Sequence, residues 1–268
     1  MNNTQIKLVA LDLDGTLLDE DKKIPRETIE TIRAVREKGI EVTLASSRPF
    51  CAVLPYAREL NITLPVIAHG GAFVADGKKI ISRQTLKPDS SRAVIKLLED
   101  HEYYIKVYCD DILYVQEATE ETAEYSRLFG VEFREVGRRR LSSLPETPVR
   151  IAILDEQPHR IEQIPGLISG YLRDFALAAD TSYGLEIVDS TVNKGNAVSA
   201  LCVELGLKMR EVMAIGNEGN DMEMIKMAGL GIAMGNACAK LKQAADAVTR
   251  ANTESGVDYA LKQYILQG

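Results

Sequence analysis

Two aspartates separated by one residue follow an apolar segment near the amino terminus. Residues Leu8–Leu11 have the composition of a strand that is buried on both faces of a parallel sheet, and Asp12 and Asp14 come directly after it. The carboxyl end of such a strand is where open α/β sheets bind their ligands. In extended backbone the two carboxylates would share one face. Two like charges at that spacing need a cation between them or a proton on one of them.

A carboxylate pair of this kind suits phosphoryl transfer. That reaction can use one carboxylate as nucleophile, one acid to protonate the leaving oxygen, and Mg²⁺ to neutralise the phosphate. Two acids at this spacing are also common as caps and turn formers exposed to solvent, and the spacing alone leaves that alternative open. A calcium-binding EF-hand loop fits poorly, because Leu13 and Gly15 break its pattern of acidic residues.

A second apolar segment, Ile40–Ala45, also ends in small polar residues. Ser46 and Ser47 follow it, and Arg48 begins the next helix. A helix between two such strands is the crossover of a parallel sheet, so Ser46 is expected beside Asp12 if the two strands are neighbours. A hydroxyl and the backbone N–H groups at a helix N-terminus suit a phosphate oxygen. A serine that only caps its helix would give the same sequence, and this alternative also stays open.

The order of the predicted elements indicates two different architectures in one chain. Helices and buried strands alternate at both ends, which predicts an α/β fold with a doubly wound, mostly parallel sheet. Between residues 84 and 187 the order of hairpins, strands and helices is that of an α+β domain. We therefore predict a core domain formed by residues 1–83 and 188–268, with an α+β domain inserted at residues 84–187.

The composition is that of an ordinary globular protein and argues against several classes of function. Apolar residues make up 46% of the chain, and no apolar run approaches the roughly 20 residues that cross a membrane. A net charge of −7 argues against a nucleic-acid binder, so a small phosphorylated substrate would depend on local positive groups and a metal. The polar amino terminus does not resemble a secretion signal. The widely spaced cysteines are expected to be buried, reduced thiols, as in the cytoplasm: Cys51, Cys109, Cys202 and Cys238.

The residues at the first two strand ends resemble the motifs of a known family. DLDGTLL resembles the first motif of the haloacid dehalogenase superfamily of phosphatases, and LASSRP resembles its second motif. The resemblance implies that Asp12 attacks phosphorus and that Asp14 acts as general acid and base, with a pKa raised by its neighbours. It also implies that Ser46, Ser47 and Gly15 bind the phosphate, although Ser47 stands where the family usually has glycine.

Two segments beyond residue 190 extend this resemblance. VNKGNAV contains Lys194, and in the family this lysine holds the nucleophile and the phosphate charge. AIGNEGNDMEMIKMAGLGIAMGNA contains Asn220 and Asp221, which match the family's loop, but Asn217 replaces the usual aspartate that coordinates Mg²⁺. The site loses one negative charge by this replacement. We therefore expect weaker Mg²⁺ binding, unless the loop turns Glu218 inward.

The resemblance covers essentially the whole chain and is closest in element order to the Cof subfamily, whose α+β cap domain follows the third core strand. It implies a Mg²⁺-dependent phosphatase that hydrolyses small phosphomonoesters, sugar phosphates above all, through an aspartyl-phosphate intermediate. The predicted site comprises the catalytic residues Asp12, Asp14 and Lys194, the phosphate-binding residues Ser46, Ser47, Gly15 and Asn220, and the metal ligands Asp12, Asp14, Asn217 and Asp221. The Asn217 replacement prompts an alternative, a phosphosugar-binding or regulatory module with vestigial phosphatase activity. A phosphomutase is a third possibility.

The partner that these patterns predict is a small phosphorylated metabolite in the cytoplasm. Neither nucleic acid nor a membrane is expected as a partner, and the sequence favours no particular oligomeric state. Within the inserted domain, the candidates for contacts to the leaving group are four tyrosines and one basic cluster: Tyr103, Tyr104, Tyr108, Tyr183 and Arg138–Arg140. Tyrosines in such segments are more often packed in a core, and arginine clusters are more often solvated turns.

Overall fold

The chain divides into two compact units of different architecture. The computed structural model describes residues 5–181 and 184–267. The first unit comprises Met1–Arg48, Val53–Ser82 and Asn193–Gly268, and the second comprises Pro49–Ala52 and Arg83–Val192. The predicted insertion at 84–187 lies within the second unit. The predicted α/β class, with a parallel sheet in one part of the chain and a mixed sheet in the other, is confirmed.

The bounds of the helices and strands are as follows. Within the described residues the strands are β1 (Leu8–Leu11), β2 (Glu41–Leu44), β3 (Val66–Ala68), β4 (Phe73–Ala75), β5 (Ile80–Arg83), β6 (Tyr104–Cys109), β7 (Ile112–Val115), β8 (Glu132–Glu135), β9 (Arg150–Leu154), β10 (Phe175–Thr181), β11 (Gly184–Asp189), β12 (Val212–Gly216), β13 (Leu230–Ala233) and β14 (Ala247–Val248). The α-helices of the same residues are α1 (Arg26–Glu37), α2 (Phe50–Glu59), α3 (Pro88–Asp100), α4 (Glu120–Phe129), α5 (Pro158–Leu167), α6 (Lys194–Leu205), α7 (Met222–Met227), α8 (Ala239–Ala244) and α9 (Gly256–Leu261).

The first unit is built around a five-stranded parallel sheet with the order β14-β13-β12-β1-β2. Strand β1 is central, and each of its four residues is fully buried, as its unbroken apolar sequence requires. At its carboxyl end Leu11 pairs with Ile215 of β12 on one side and with Leu44 of β2 on the other. The loops that follow β1, β2 and β12 therefore leave the sheet at the same edge. The predicted neighbour relation of β1 and β2 is confirmed.

A small antiparallel sheet, β3-β4-β5, completes the strands of the first unit. The main sheet reaches it through one bridge between Ala45 and Ile67. Asp76 and Gly77 between two short apolar segments predict a hairpin. It is present, because β4 and β5 are neighbours and the Asp76 carboxylate accepts hydrogen bonds from two backbone N–H groups of the turn.

One predicted helix is shorter than its apolar pattern indicates. The pattern predicts a single helix over residues 159–172, but α5 ends at Leu167 and is followed by a separate turn at Ser169–Tyr171. Gly166 and Gly170 weaken a helix in this stretch. The final helix, predicted over residues 257–266, is helical to Leu266, because α9 continues directly into a wider helical turn at Lys262–Leu266.

The second unit consists of a six-stranded sheet, β10-β11-β9-β6-β7-β8, with α3 and α5 packed on one face and α4 on the other. Side chains alternate along β6 and β9, so one set joins the apolar core and the other set faces away from it. The core set includes Ile105 and Ile153, which pack with residues of α3 and α5. The opposite set includes Lys106 and Arg150, whose buried charges pair with Glu121 and Glu186.

The tyrosines proposed as leaving-group contacts are packed within the second unit. Tyr103 belongs to its apolar core and donates a hydrogen bond to Arg160 O. Tyr108 is buried beneath the Arg150 guanidinium, whose central carbon lies 4.2 Å from the ring centroid. The hydroxyl of Tyr104 lies 2.6 Å from that of Thr122. Packing within the unit therefore accounts for Tyr103 and Tyr108, whereas Tyr104 is only half-buried and stays a candidate. Tyr183 lies outside the described residues.

Arg138 of the basic cluster lies at the surface, whereas the cysteines differ in how deeply they are buried. Arg138 is a solvated surface residue that approaches Glu117 at 3.5 Å. All four cysteines are free thiols. Cys109 and Cys202 are buried as predicted, but Cys51 and Cys238 are only partly buried, so the prediction is wrong for these two. Along the described ranges of the chain, no helix is both long enough and apolar enough to cross a membrane.

Candidate active site

The loop after β1 turns sharply at Gly15. Residues Leu13–Leu17 form a wide turn that departs from helical backbone at Asp14 and Gly15, and Gly15 has a φ of 73°. This left-handed conformation favours glycine, and a Cβ atom at this position would also collide with the Asn217 side chain. Asn236 donates a hydrogen bond to Gly15 O at 2.8 Å, which fixes the loop from a segment more than 200 residues away. Asn236 is not among the predicted site residues, although it lies in the quoted segment AIGNEGNDMEMIKMAGLGIAMGNA.

Lys194 joins two carboxylates in the interior of the first unit. Its Nζ lies 2.6 Å from Asp12 Oδ1 and 2.6 Å from Asp221 Oδ1, and the lysine is only 1% exposed. A buried ammonium is stable only when it is paired, and here both of its partners are buried as well. The structure thus brings together three residues of which Asp12 and Lys194 are separated by 182 positions in the sequence, and Lys194 and Asp221 by a further 27.

The charges in this cluster shift one another's pKa values. Burial and the charge of Asp221 raise the pKa of the Asp12 carboxyl to about 7, although Lys194 acts in the opposite direction. Burial alone would lower the pKa of Lys194, but the two carboxylates raise it above its ordinary value. Lys194 therefore remains an ammonium ion at neutral pH.

Lys194 is positioned by the start of α6. Asn193 is the N-cap residue, and its side chain accepts a hydrogen bond from the Asn196 backbone N–H at 2.8 Å. Gly195 packs so closely against α7 that a Cβ atom there would meet the Glu223 backbone. The predicted helix start at Lys194 is confirmed.

Asp221 contacts Lys194 with one carboxylate oxygen and the backbone of its own loop with the other. Its Oδ2 accepts hydrogen bonds from the backbone N–H groups of Asn217 at 2.9 Å and Glu218 at 3.0 Å, while its Oδ1 faces Lys194. Gly216 allows this approach, because a Cβ atom on it would collide with the Asp221 carboxyl group. The Glu218 side chain is exposed. The loop therefore does not turn Glu218 inward to replace the charge that Asn217 lacks.

The Asn217 side chain completes a set of oxygen ligands. One of the two terminal atoms of its side-chain amide, here called the outer atom, lies 3.0 Å from Asp14 O and 3.1 Å from Asp12 Oδ2. A carboxylate, a backbone carbonyl and an amide oxygen are the ligand types that Mg²⁺ accepts, so these residues fit a divalent cation. Within the described residues, no group of three or more His, Cys, Asp and Glu side chains is arranged to hold a metal. A cation here would thus rely on the backbone and the amide as well as on Asp12.

Asp14 has partners of its own, and this overturns one prediction. Arg48 donates from Nε to Asp14 Oδ2 and from Nη2 to Oδ1, both at 2.7 Å, and Lys22 Nζ lies 3.0 Å from Oδ1. Burial alone would raise the pKa of Asp14, but Arg48 and then Lys22 outweigh it and lower the pKa below its ordinary value. The expected rise was wrong, because each of the two aspartates has separate cationic partners rather than one shared cation.

Arg48 was missed as a functional residue, although a signal was present. It is the basic residue of the LASSRP segment, directly after the two serines. Its guanidinium also donates to the Tyr56 hydroxyl at 3.1 Å, and Tyr56 in turn donates to Lys22 O. These contacts hold the guanidinium in the plane that bidentate pairing with Asp14 requires. Lys22, in contrast, lies in a loop without any motif.

The predicted phosphate-binding side chains lie in the loops after β2 and β12. Ser46 is buried, and its Oγ accepts a hydrogen bond from the Arg48 backbone N–H at 3.1 Å. This bond closes a local turn, and because α2 begins only at Phe50, Ser46 is not the N-cap residue of that helix. The hydroxyl proton can still be donated to another acceptor. Asn220 Nδ2 donates to Ser47 Oγ at 2.9 Å, so these two predicted residues are in contact.

Comparison with known proteins agrees with this geometry. The chain matches the haloacid dehalogenase-like hydrolase family over residues 9–261. It is 29% identical to the putative phosphatase YxeH of Bacillus subtilis, over 97% of this chain and 98% of the relative. It is 28% identical to the 5-amino-6-(5-phospho-D-ribitylamino)uracil phosphatase YitU of the same organism, over 97% and 98%.

A solved structure extends the comparison to the fold. A haloacid dehalogenase-like hydrolase from Bacteroides thetaiotaomicron superposes with a TM-score of 0.86 and 27% identity, over 97% of this chain and 99% of that one. The relatives are thus matched along nearly their whole length, and the motifs quoted above lie inside the matched region. The chain therefore belongs to the haloacid dehalogenase-like hydrolases, and to the Cof-type enzymes among them whose curated relatives carry the name phosphatase.

Proposed function

We propose that this enzyme is a Mg²⁺-dependent phosphatase that hydrolyses small phosphomonoesters through an aspartyl-phosphate on Asp12. The observation that carries the proposal is the position of Asp12. One of its carboxylate oxygens contacts the buried ammonium of Lys194, and the other belongs to the oxygen set formed with Asp14 O and Asn217. A nucleophile between a fixed cation and a metal-type ligand set is the arrangement that transfer of a charged phosphoryl group requires.

The first step follows from these contacts. Asp12 attacks phosphorus in line, the ester bond to the leaving oxygen breaks, and the phosphoryl group remains on the Asp12 carboxylate. Lys194 and the Ser46 hydroxyl hold the equatorial oxygens. Asp12, the Asp14 carbonyl and Asn217 would hold Mg²⁺, which when bound neutralises charge on the phosphoryl oxygens. Asp221 keeps Lys194 in place.

Asp14 carries the proton transfers, and Arg48 controls its availability. In the structure the guanidinium holds Asp14 ionised. A phosphate dianion competes for the same bidentate donor, and its binding releases Asp14 to take up a proton. Asp14 gives that proton to the leaving alcohol, and then recovers one from the water that hydrolyses the aspartyl-phosphate.

We assign the choice of leaving group to the second unit, residues Arg83–Val192, and we propose sugar or polyol phosphates as the substrate class. The relative YitU supports this choice, because its name places a phosphate on a ribityl chain. The free thiols and the negative net charge fit a cytoplasmic enzyme that acts on small metabolites rather than on nucleic acids.

A phosphate-release assay on the purified chain tests the proposal. The panel contains sugar phosphates, polyol phosphates, nucleoside monophosphates and p-nitrophenyl phosphate, each with Mg²⁺ and with EDTA. We expect release from at least one sugar or polyol phosphate, and its loss in EDTA. Calorimetric binding of sugar phosphates without release would instead indicate the binding module, and a requirement for a bisphosphate activator would indicate a mutase.

The release of Asp14 from Arg48 predicts the behaviour of two variants. Arg48→Ala should lower kcat/KM by about 100-fold, because the bound phosphate loses its bidentate partner. Arg48→Lys should restore only part of the loss, since an ammonium cannot form two parallel hydrogen bonds. Steady-state kinetics on the best substrate of the panel measures both.

A surface arginine provides the control for these variants. Arg33 pairs with Glu37 on α1 and its side chain is 81% exposed, so Arg33→Ala removes the same charge far from any site residue. It should leave kcat/KM unchanged. If Arg48→Ala and Arg33→Ala behave alike, Arg48 has no part in the reaction.

A further inference from the structure

Three acceptor-type oxygen atoms surround the outer atom of the Asn217 side-chain amide. They are Asp14 O at 3.0 Å, Asp12 Oδ2 at 3.1 Å and Thr16 Oγ1 at 3.1 Å. Asp14 O is a backbone carbonyl, which can only accept a hydrogen bond. Asp12 Oδ2 belongs to a carboxyl group, which in its ionised form can also only accept. Only Thr16 can either donate or accept. The chemical nature of the amide atom at this point therefore decides whether the group is stable.

The two ends of an amide are nearly equal in size and opposite in chemistry. If the oxygen of Asn217 faces the group, Thr16 can donate to it, but Asp12 Oδ2 and Asp14 O then face a third oxygen with no proton between them. A cation among these oxygens is what stabilises that arrangement. If the nitrogen faces the group, its two protons can be donated to Asp12 Oδ2 and Asp14 O.

We propose that Asn217 is a two-position switch for the cation. Its amide nitrogen closes the oxygen set by hydrogen bonding to Asp12 and Asp14 when no cation is bound, and its amide oxygen faces the set when Mg²⁺ binds. A half-turn of the terminal amide interconverts the two positions without moving the backbone. This inference rests on the metal site of the proposed function and adds a cation-free form that is fully hydrogen-bonded.

An aspartate at position 217 could not do the same. It offers only acceptors, and it would add a third carboxylate to the buried group in which Lys194 pairs with Asp12 and Asp221. The cation-free form of such a protein would be less stable toward unfolding, because its carboxylates would repel one another. Cation binding would relieve that repulsion. With Asn217, the cation must instead replace two hydrogen bonds. Asn217 thus lowers the affinity for Mg²⁺ and makes stability nearly independent of it.

Thermal unfolding of the full chain tests this without any substrate. In EDTA, Asn217→Asp should unfold several degrees below the native protein, by about 3–8 °C for a cost of 1–2 kcal/mol in a chain of this size. Saturating Mg²⁺ should raise the Tm of Asn217→Asp by at least that amount, and that of the native protein by much less. Calorimetry should show that Asn217→Asp binds Mg²⁺ about tenfold or more tightly than the native protein.

Asn61→Asp is the matched control. It adds the same charge to an exposed position of the first unit that the site does not use, so it should change neither the Tm in EDTA nor the response to Mg²⁺ by a comparable amount. Equal Mg²⁺ stabilisation of the native protein and Asn217→Asp would overturn the switch and leave the metal site intact. Failure of Mg²⁺ to bind either protein would overturn the metal site itself, and the switch with it.

Nuclear magnetic resonance observes the amide directly. The side-chain NH₂ signals of Asn217 can be assigned by their absence from the ¹⁵N spectrum of Asn217→Asp. Because the half-turn of the amide moves these protons away from the Asp12 carboxylate, Mg²⁺ should shift both signals and increase their exchange with solvent. Signals that stay unchanged at saturating Mg²⁺ would show that the amide does not turn.

Discussion

Replacing Asp12 by asparagine is expected to reduce phosphate release by at least about 10⁴-fold, because the variant lacks the oxygen nucleophile on which the phosphoryl group is carried. Asparagine keeps the shape of the side chain, and its amide oxygen can still accept the hydrogen bond from Lys194 Nζ. The fold should therefore survive, with Asp221 as the remaining counterion of the lysine. Single-turnover kinetics at saturating substrate isolates the chemical step.

The control for this variant is Asp21→Asn, an exposed acid in the segment that follows the same loop. Its turnover should equal that of the native protein. Acid-quenched samples of the native enzyme should contain phosphate bound to Asp12, detectable by mass spectrometry, and those of Asp12→Asn should contain none. A turnover of Asp12→Asn within tenfold of the native rate would mean that another group attacks the ester.

Replacing Lys194 by methionine is the second change with a large expected effect. Methionine fills a similar volume but leaves two buried carboxylates without their ammonium, which typically costs about 3–5 kcal/mol in the free energy of unfolding. Activity should fall with it, since neither the nucleophile nor the phosphate has its cation. Urea unfolding followed by circular dichroism measures the first effect, and phosphate release measures the second.

Two further variants serve as a control for this prediction and as a test of its cause. Lys79→Met removes an exposed ion pair with Glu204 and should cost no more than about 1 kcal/mol. Combining Lys194→Met with Asp221→Asn removes one of the two buried charges, so the double variant should recover part of the lost stability while remaining inactive. If Lys194→Met proves as stable as Lys79→Met, the lysine is not the counterion of the buried carboxylates.

The sequence was sufficient for the parts of the site that depend on strand ends. An apolar run followed by acids identified β1 and Asp12, and the crossover pattern identified β2 as its neighbour. The contact between Lys194 and Asp12 is different, because no periodicity links residues 182 positions apart. Only the resemblance of VNKGNAV to a family motif indicated it.

The sequence did not predict how Asp14 is held. Its pairing with Arg48 depends on the left-handed turn at Gly15, on the direction of the chain after β2, and on the support of Tyr56. Each of these is a property of loop geometry in three dimensions rather than of residue spacing. The same is true of Asn236, whose hydrogen bond to Gly15 O joins two loops that are remote in sequence.

The central place of β1 also determines when the enzyme becomes competent during synthesis. Its partner β12 begins at Val212, and Lys194 is likewise made long after Asp12. A growing chain must therefore hold a highly apolar segment with only β2 beside it until Val212 has been synthesised, since 211 residues precede β12. Such long-range strand pairing folds slowly, so catalytic activity should appear as one of the last events of folding and should serve as a stringent reporter of its completion.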